Sequence, residues 1–478
     1  MSHARSIPPA RLPGGNTRHR RIGLLERWQV IVGGALAIGI VGGVITAKKP
    51  STAVLVCVVG VGLIGLAMLG ERAFPWAIVI VAVAPWYPFI AQAAEPPIVK
   101  QKVLCAAVAA APIAPWLWAV ARGHRRAPSS RAALLMGILF LGLAVLIYET
   151  LGSVSLVIES KVVGFIFAGV AFLCARRFGA GRGWYSAAFG GLVILLLLGV
   201  DAYLQAPANR VGYFVGYPIT YGALVVGLLP PALLFAYQRS RVLAVGLLAA
   251  SGVLLIFSES RSSWVAAVVI LLVSVLLLGR AGHYKALAAT GGAVVVLFAL
   301  IAGTGSLSKV VEKKLASNIT QTQSVTHRQW SYQYAVQAIK EKPIFGEGTP
   351  GFAAEQSANR TSIGAIDNGY LSITVDMGLI GLFAALIPIG VALSAIWRCL
   401  RFGVTPRHEL ALALGIVAMA VVTAFYDSFY WAQIDLLLGA MGGALSVRLS
   451  TIGKTSPADA ATVGQGELAR PAPISLAT

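Results

Sequence analysis

Charge is scarce in this sequence, and acidic charge scarcest. Only 12% of its 478 residues are Asp, Glu, Lys or Arg, with 18 acidic residues against 38 basic ones. Hydrophobic residues make up 57%, and the mean hydropathy is +0.79. A soluble domain of this length has nowhere to bury so much apolar side chain, which excludes the soluble globular classes and leaves an integral membrane protein. Cysteine is nearly absent too. Cys57, Cys105 and Cys174 fall in apolar runs and Cys399 lies beside a short basic loop, so there is no disulfide framework and no metal-ligand spacing. Also lacking are an internal repeat strong enough to mark inverted transporter halves and the short apolar region with a small-residue cleavage site that marks a secretory leader.

What is abundant is apolar runs of about 17–22 residues, the length at which a helix crosses the hydrocarbon with its peptide groups satisfied internally. They fall near 28–47, 51–70, 73–93, 103–121, 132–149, 154–174, 184–202, 214–237, 242–257, 263–279, 286–302, 370–396, 408–426 and 429–447. The expected fold is all-α: a polytopic membrane protein with about 12–14 transmembrane helices and one large external lobe. The net charge of +20 is a topology signal. With the N-terminus inside, about 24 of the 38 basic residues fall in inner segments, Arg20, Arg125, Arg239 and Arg398 among them. That positive-inside bias puts both termini in the cytoplasm and assigns no nucleic-acid partner. Residues 1–27 and 448–478 read as disordered cytoplasmic tails, 28–302 and 370–447 as membrane helices, and 303–369 as the external lobe.

The long polar segment at 303–369 stands apart, because elsewhere the apolar runs are joined by short connectors. From His327 to Lys340 apolar residues recur at helical spacing, which predicts an amphipathic helix at the interface with its aromatics at headgroup level. The run Glu341-Lys342-Pro343-Ile344-Phe345-Gly346-Glu347-Gly348 ends it. Asp367-Asn368-Gly369-Tyr370 then precedes the next apolar run. Asp367 reads either as a helix cap or as a general base at a membrane surface. His327, which this topology makes the one external histidine, is the other candidate base. Asp376 falls inside the apolar run, where a carboxylate needs a partner.

Two arginines sit where charge is costly. Arg210 precedes Val211-Gly212-Tyr213-Phe214-Val215-Gly216-Tyr217-Pro218, a Gly-x-Pro break at the start of a span. Arg261 lies in Ser258-Glu259-Ser260-Arg261-Ser262-Ser263-Trp264, a polar turn between two spans. Guanidinium forks facing one external cavity suit a phosphate or diphosphate. The other readings are snorkelling to lipid headgroups or, for Arg261, a local pair with Glu259. Arg328 reads as a third phosphate contact or as an exposed interfacial arginine. Tyr217, Asn368, Tyr370 and Asp376 are candidate supporting residues.

These segments together resemble the O-antigen ligase / O-antigen polymerase superfamily of membrane glycosyltransferases. The resemblance runs from about 210 to 382 and rests on three stretches. They are Arg210 through Tyr221-Gly222, the Ser-Arg-small turn at Arg261, and the region from Arg328 through Asp367-Asn368-Gly369-Tyr370-Leu371 to Asp376-Met377-Gly378-Leu379-Ile380-Gly381-Leu382. It implies a metal-independent, inverting transfer that uses no cofactor and takes glycan from an undecaprenyl-diphosphate carrier at the periplasmic face of the inner membrane. The acceptor would be a glycan or a lipid-linked molecule, and membrane lipids would surround the site. Arg210 and Arg261 would hold the diphosphate, and Asp367, the residue before the Asn, would be the base. Lipid A-core ligases resembling this pattern typically place histidine there. Aspartate leans the reading toward a polymerase, or a ligase for another polysaccharide. A lipid-linked glycan transporter or flippase, and a non-catalytic scaffold of the cell envelope, are the rival readings; few mid-span charges and one-sided polar features disfavour the first.

Overall fold

The apolar runs become helices. A computed structural model describes residues 74–83, 161–178, 183–206, 210–215, 217–280, 318–347, 366–402 and 407–452. Among these residues the regular elements are all helical: α1 (Phe74–Val83), α2 (Lys161–Phe178), α3 (Gly183–Gln205), α4 (Pro218–Arg239), α5 (Arg241–Phe257), α6 (Arg261–Arg280), α7 (Asn318–Glu341), α8 (Gly369–Phe402), α9 (Arg407–Phe425) and α10 (Ala432–Ile452), with short 3-10 turns at Tyr213–Val215 and Ser428–Tyr430. Four of them, α3, α4, α8 and α9, are long and apolar enough to cross a membrane. The protein is an all-α polytopic membrane protein. The spans expected at 28–47, 51–70, 103–121, 132–149 and 286–302 lie outside the described residues.

α4 sits at the centre, packed against α3, α5, α6 and α9. Its buried face includes Tyr221, Leu224, Val225 and Leu228. The closest pairing is α2 with α10, and small residues make it possible. Gly439 and Gly443 of α10 lie directly against the backbone of Ala168 and Phe172 of α2, while Gly164 of α2 faces the Asp435 side chain. Spacing small residues four apart puts them on one helix face, so the two backbones approach as far as van der Waals contact allows.

α8 departs from the sequence reading. Its 34 residues would make a straight rod of about 50 Å, against about 30 Å of hydrocarbon, and 370–396 reads as one continuous span. The backbone instead breaks at Gly378, with φ 66° and ψ −163°, a conformation nearly closed to residues with a side chain. The bend is sharp. A Cβ placed on Gly381 would lie 3.3 Å from Ile373 Cγ1 and 3.4 Å from the Ile373 carbonyl oxygen, positions that a straight helix would separate by about 12 Å along its axis.

Breaking a helix orphans peptide groups, and a turn from the lobe supplies their partners. The Leu379 N–H donates to the Pro343 carbonyl at 2.8 Å and the Ile380 N–H to the Ile344 carbonyl at 3.4 Å. In return the Glu347 N–H donates to the Val375 carbonyl at 2.8 Å. Both glycines are needed for the two backbones to meet. Gly346 has φ 71°, and a Cβ there would stand 2.5 Å from the Val375 oxygen and 2.6 Å from the Gly378 nitrogen; at Gly378 a Cβ would run into the Ile344 carbonyl. The Pro343/Gly346 cluster ends α7 at Glu341, as the sequence reading has it, and is a docking turn as well.

Three contacts give the height of this break. Pro388 packs on Gly442, and Arg398 Nη1 donates to the Leu449 carbonyl at 3.1 Å, so residues 379–402 and α10 run in the same direction. Gly378 precedes Pro388 by ten residues, as Ala432 precedes Gly442, which puts the break level with the first turn of α10, about 15 Å above the Pro388 contact. Gly369 is at that same end, against Thr423, Phe429 and the Tyr426 carbonyl. Residues 369–377 therefore run across the end of the bundle, and the crossing segment starts at Leu379. Asp376, expected inside the span, is buried in the transverse piece, level with the end of the bundle.

Gly378→Ala should destabilise the protein by about 1–3 kcal/mol, the cost of a glycine-only backbone conformation. Gly390→Ala, on the same helix with nothing within 4 Å of the added Cβ, should be neutral or stabilising by up to about 1 kcal/mol. Thermal unfolding in detergent checks the pair, and equal melting temperatures for the two variants would contradict the break.

Candidate active site

The Arg210 segment runs along the C-terminal end of α5, where helix carbonyls lack partners within the helix. The Val211 N–H donates to the Phe257 carbonyl at 3.1 Å. Arg210 Nε donates to the Ser258 carbonyl and Nη2 to the Glu259 carbonyl, both at 3.1 Å. The Glu259 carboxylate stands 3.9 Å from Arg210 Nε. The acid offered by the sequence as a local partner for Arg261 thus lies against Arg210. Glu259 also has φ 51°, the left-handed region that non-glycine residues seldom enter, and Arg210 grips the carbonyls on either side of that turn.

Beyond the turn, Ser260 Oγ and Ser263 Oγ share a hydrogen bond of 2.7 Å, and both serines are buried. Ser263 is packed on Gly222 of α4, which seats the start of α6 on the central helix. Trp264 Nε1 donates to the Leu255 carbonyl at 2.9 Å, closing the α5–α6 corner. Arg261, the first residue of α6, is exposed. Arg210 and Arg261 come together in one turn: the residue whose carbonyl Arg210 holds is two positions from Arg261.

The Asp367 segment reaches the same end of the bundle from the other side. Asn368 Oδ1 accepts from the Tyr370 N–H at 3.0 Å and the Leu371 N–H at 3.1 Å. Asn368 is therefore the cap of α8, which removes the capping role from Asp367. Asp367 sits half-buried just outside the cap. The Tyr370 hydroxyl donates to the Ala420 carbonyl at 2.9 Å, and the Ser372 hydroxyl donates to Asp427 Oδ2 at 2.9 Å. These two bonds hold the transverse helix onto α9 and the α9–α10 connection.

One aromatic pair joins the two halves. Tyr217 stacks on Tyr426 with centroids 5.8 Å apart and planes 7° apart, and Tyr213 meets Tyr217 edge-on at 6.1 Å. The Tyr426 carbonyl abuts Gly369, two residues after Asp367. Trp431 Nε1 donates to the Tyr426 hydroxyl at 2.7 Å, and Gln433 Nε2 donates to the Val215 carbonyl at 2.9 Å, so the Arg210 loop is tied to both sides of the α9–α10 connection. Sequence reasoning missed Ser372, Tyr426 and Gln433 as site supports. Their partners lie up to 218 residues away, and no local spacing signals such pairs.

α7 begins at Asn318, nine residues before the helix start read from the sequence. His327 and Arg328 lie on it, with their side chains outside the described residues. Further along, Trp330 and Tyr334 stack at 5.9 Å, and the Tyr334 hydroxyl donates to Glu347 Oε2 at 2.7 Å. Ala335, Ala338, Ile366 and Val375 form the small apolar core between α7 and the transverse helix. Among the described residues no cluster of His, Cys, Asp and Glu is arranged to hold a metal ion.

These features define a class: a polytopic helical membrane protein with arginines and a carboxylate gathered at one end of its bundle. Residues 245–386 match the family model Wzy_C, described as O-antigen ligase, and this supports the O-antigen ligase/polymerase superfamily for the chain. The match covers most of α5, then α6, α7 and the broken part of α8, including Arg261, His327, Arg328, Asp367, Asn368, Tyr370 and Asp376; Arg210 and Tyr217 precede it. No curated protein matches the chain.

Asn368→Ala should cost about 1 kcal/mol of stability by removing the cap, while Asp367→Asn should cost less than half of that. The two melting temperatures in detergent check the assignment, and the reverse ranking would return the cap to Asp367.

Proposed function

We propose that the protein is a membrane glycosyltransferase that transfers or polymerises glycan carried on undecaprenyl diphosphate, at the outer face of the inner membrane, in surface polysaccharide assembly. The observation that carries the reading is the convergence of the Arg261 turn and the Asp367 segment at one end of the bundle, through Tyr217, Tyr426 and Gly369. The superfamily match agrees with a lipid-linked glycan as substrate.

In this reading the donor diphosphate lies over the turn at 258–261. Arg261, at the positive end of the α6 dipole, is an exposed cation that makes no side-chain hydrogen bond or ion pair among the described residues, and an anion there is attracted by both guanidinium and helix. Arg210 uses Nε and Nη2 on the turn and presents Nη1 to a phosphate oxygen. Arg328 on α7 is the third candidate contact. Asp367 takes the proton from an acceptor sugar hydroxyl as its oxygen bonds to the anomeric carbon from the face opposite the leaving group. The carbon–oxygen bond to the diphosphate breaks, the configuration inverts, and the arginines stabilise the charge that collects on the departing phosphate. Their fixed positive charge fills the role a metal would otherwise take. Asn368 orients Asp367 by capping the helix behind it, Tyr370 secures that helix through the Ala420 carbonyl, Asp376 is a buried carboxylate on it, and Tyr217 lines the donor side. His327 is the alternative base.

Aspartate at 367, where the superfamily's lipid A-core ligases typically have histidine, favours a polymerase or a ligase for another polysaccharide. Purified protein given lipid-linked oligosaccharide distinguishes them: chains lengthen in one case and move to a separate acceptor in the other. In that assay Arg261→Ala should lower the rate about 100-fold, the usual loss on removing one donor to a developing negative charge, with the protein still inserted. Asp367→Asn should lower it at least as much. Wild-type rates in Arg261→Ala would remove the mechanism, and full activity in Asp367→Asn would transfer the base role to His327.

A further inference from the structure

The docking turn has a second face. Its backbone is spent on the break in α8, but its side chains at the tip point away: Ile344 is 54% exposed and Phe345 75%. A polar lobe in water would hide such residues first. Their surroundings explain the exposure. The tip is bonded to Leu379 and Ile380, the first residues of the crossing segment, and both are exposed. Phe383 (67% exposed) and Ile387 continue the same helix face downward, at the spacing of successive turns. The apolar surface of the tip is thus continuous with the strip that α8 presents to the hydrocarbon.

We propose that Ile344 and Phe345 form a lipid anchor, seated among the acyl chains of the leaflet at the Arg210 end of the bundle. The exchange of backbone bonds with α8 lets an irregular turn lie at that depth, because non-helical backbone is tolerated in a membrane only where protein satisfies its polar groups. Charge on the turn agrees with this placement. Lys340 and Lys342 are exposed, and long ammonium side chains there can reach lipid phosphates; the exposed Glu341 between them accepts a hydrogen bond from Gln337. Glu347 is half-buried and takes the Tyr334 hydroxyl, so its charge is turned inward. The lobe is then held to the bilayer at the foot of the helix that follows Asp367, on the route of any substrate arriving with a lipid tail. The anchor rests on packing and depth and is independent of the catalytic reading.

Site-directed spin labelling in liposomes of phosphatidylethanolamine and phosphatidylglycerol tests it. Labels at Phe345→Cys, Gln337→Cys and Phe383→Cys, in a chain with Cys57, Cys105, Cys174 and Cys399 replaced by alanine, are compared for collision with oxygen and with a water-soluble nickel chelate. The Phe345 label should match the Phe383 label, with an oxygen-to-nickel ratio several-fold above that at Gln337, an exposed site on α7. A Phe345 label as open to nickel as Gln337 would place the tip in water and overturn the proposal. A label shielded from both reagents would overturn it too, by showing that protein covers the tip. Should the cysteine replacements unfold the chain, Phe345→Trp in the natural background serves instead. Its added fluorescence should be quenched by brominated acyl chains, and quenching by aqueous iodide alone would count against the anchor.

Discussion

The exchange of backbone hydrogen bonds between the turn 343–347 and the break at Gly378 is the constraint on which the rest of this end of the protein depends. A peptide group without a partner in an apolar setting costs several kcal/mol, so neither the turn nor the broken helix is tolerable alone. Joined, each completes the other, and two glycines with positive φ let the backbones close to hydrogen-bonding distance. The geometry that follows is specific: residues 369–377 lie across the bundle end, and the residue just before them, Asn368, is held there with Asp367 beside it.

A second restraint acts from the donor side. Arg210 holds the Ser258 and Glu259 carbonyls of the α5–α6 connection and pairs with Glu259, whose left-handed backbone turns the chain into α6. Those carbonyls lie where the chain leaves one helix for the next, so one guanidinium meets a folding need at the place where the proposed chemistry needs positive charge. Arg261 inherits its position from that turn. The stack of Tyr217 on Tyr426 then holds the arginine side and the aspartate side to a single frame.

Much of this was legible in the sequence, and the illegible parts share one cause. Hydropathy runs marked α3, α4, α5, α6, α9 and α10 to within a few residues, since crossing length and apolar composition are local properties. The same averaging hid the break in α8: a window over 370–396 stays apolar whether or not the chain bends at Gly378. Asp367 before that run reads from sequence either as cap or as base, and only the hydrogen bonds of Asn368 give the cap to its neighbour. Glu259 lay within reach of Arg261 along the chain, yet it stands against an arginine 49 positions earlier, and sequence spacing carries no record of that distance.

The sequence by itself determined the membrane class, the all-helical fold, the asymmetric placement of basic charge and the residue types from which a site for a lipid-linked glycan is proposed, because each follows from composition or from order over a few helical turns. Tertiary structure alone decided where the last polar segment touches the bundle, which half of α8 crosses and which lies flat, and which of two neighbouring residues caps the helix. Those outcomes rest on backbone groups of different segments meeting within about 3 Å, and an unpaired peptide group is satisfied by whichever partner the fold delivers, whatever its distance along the chain.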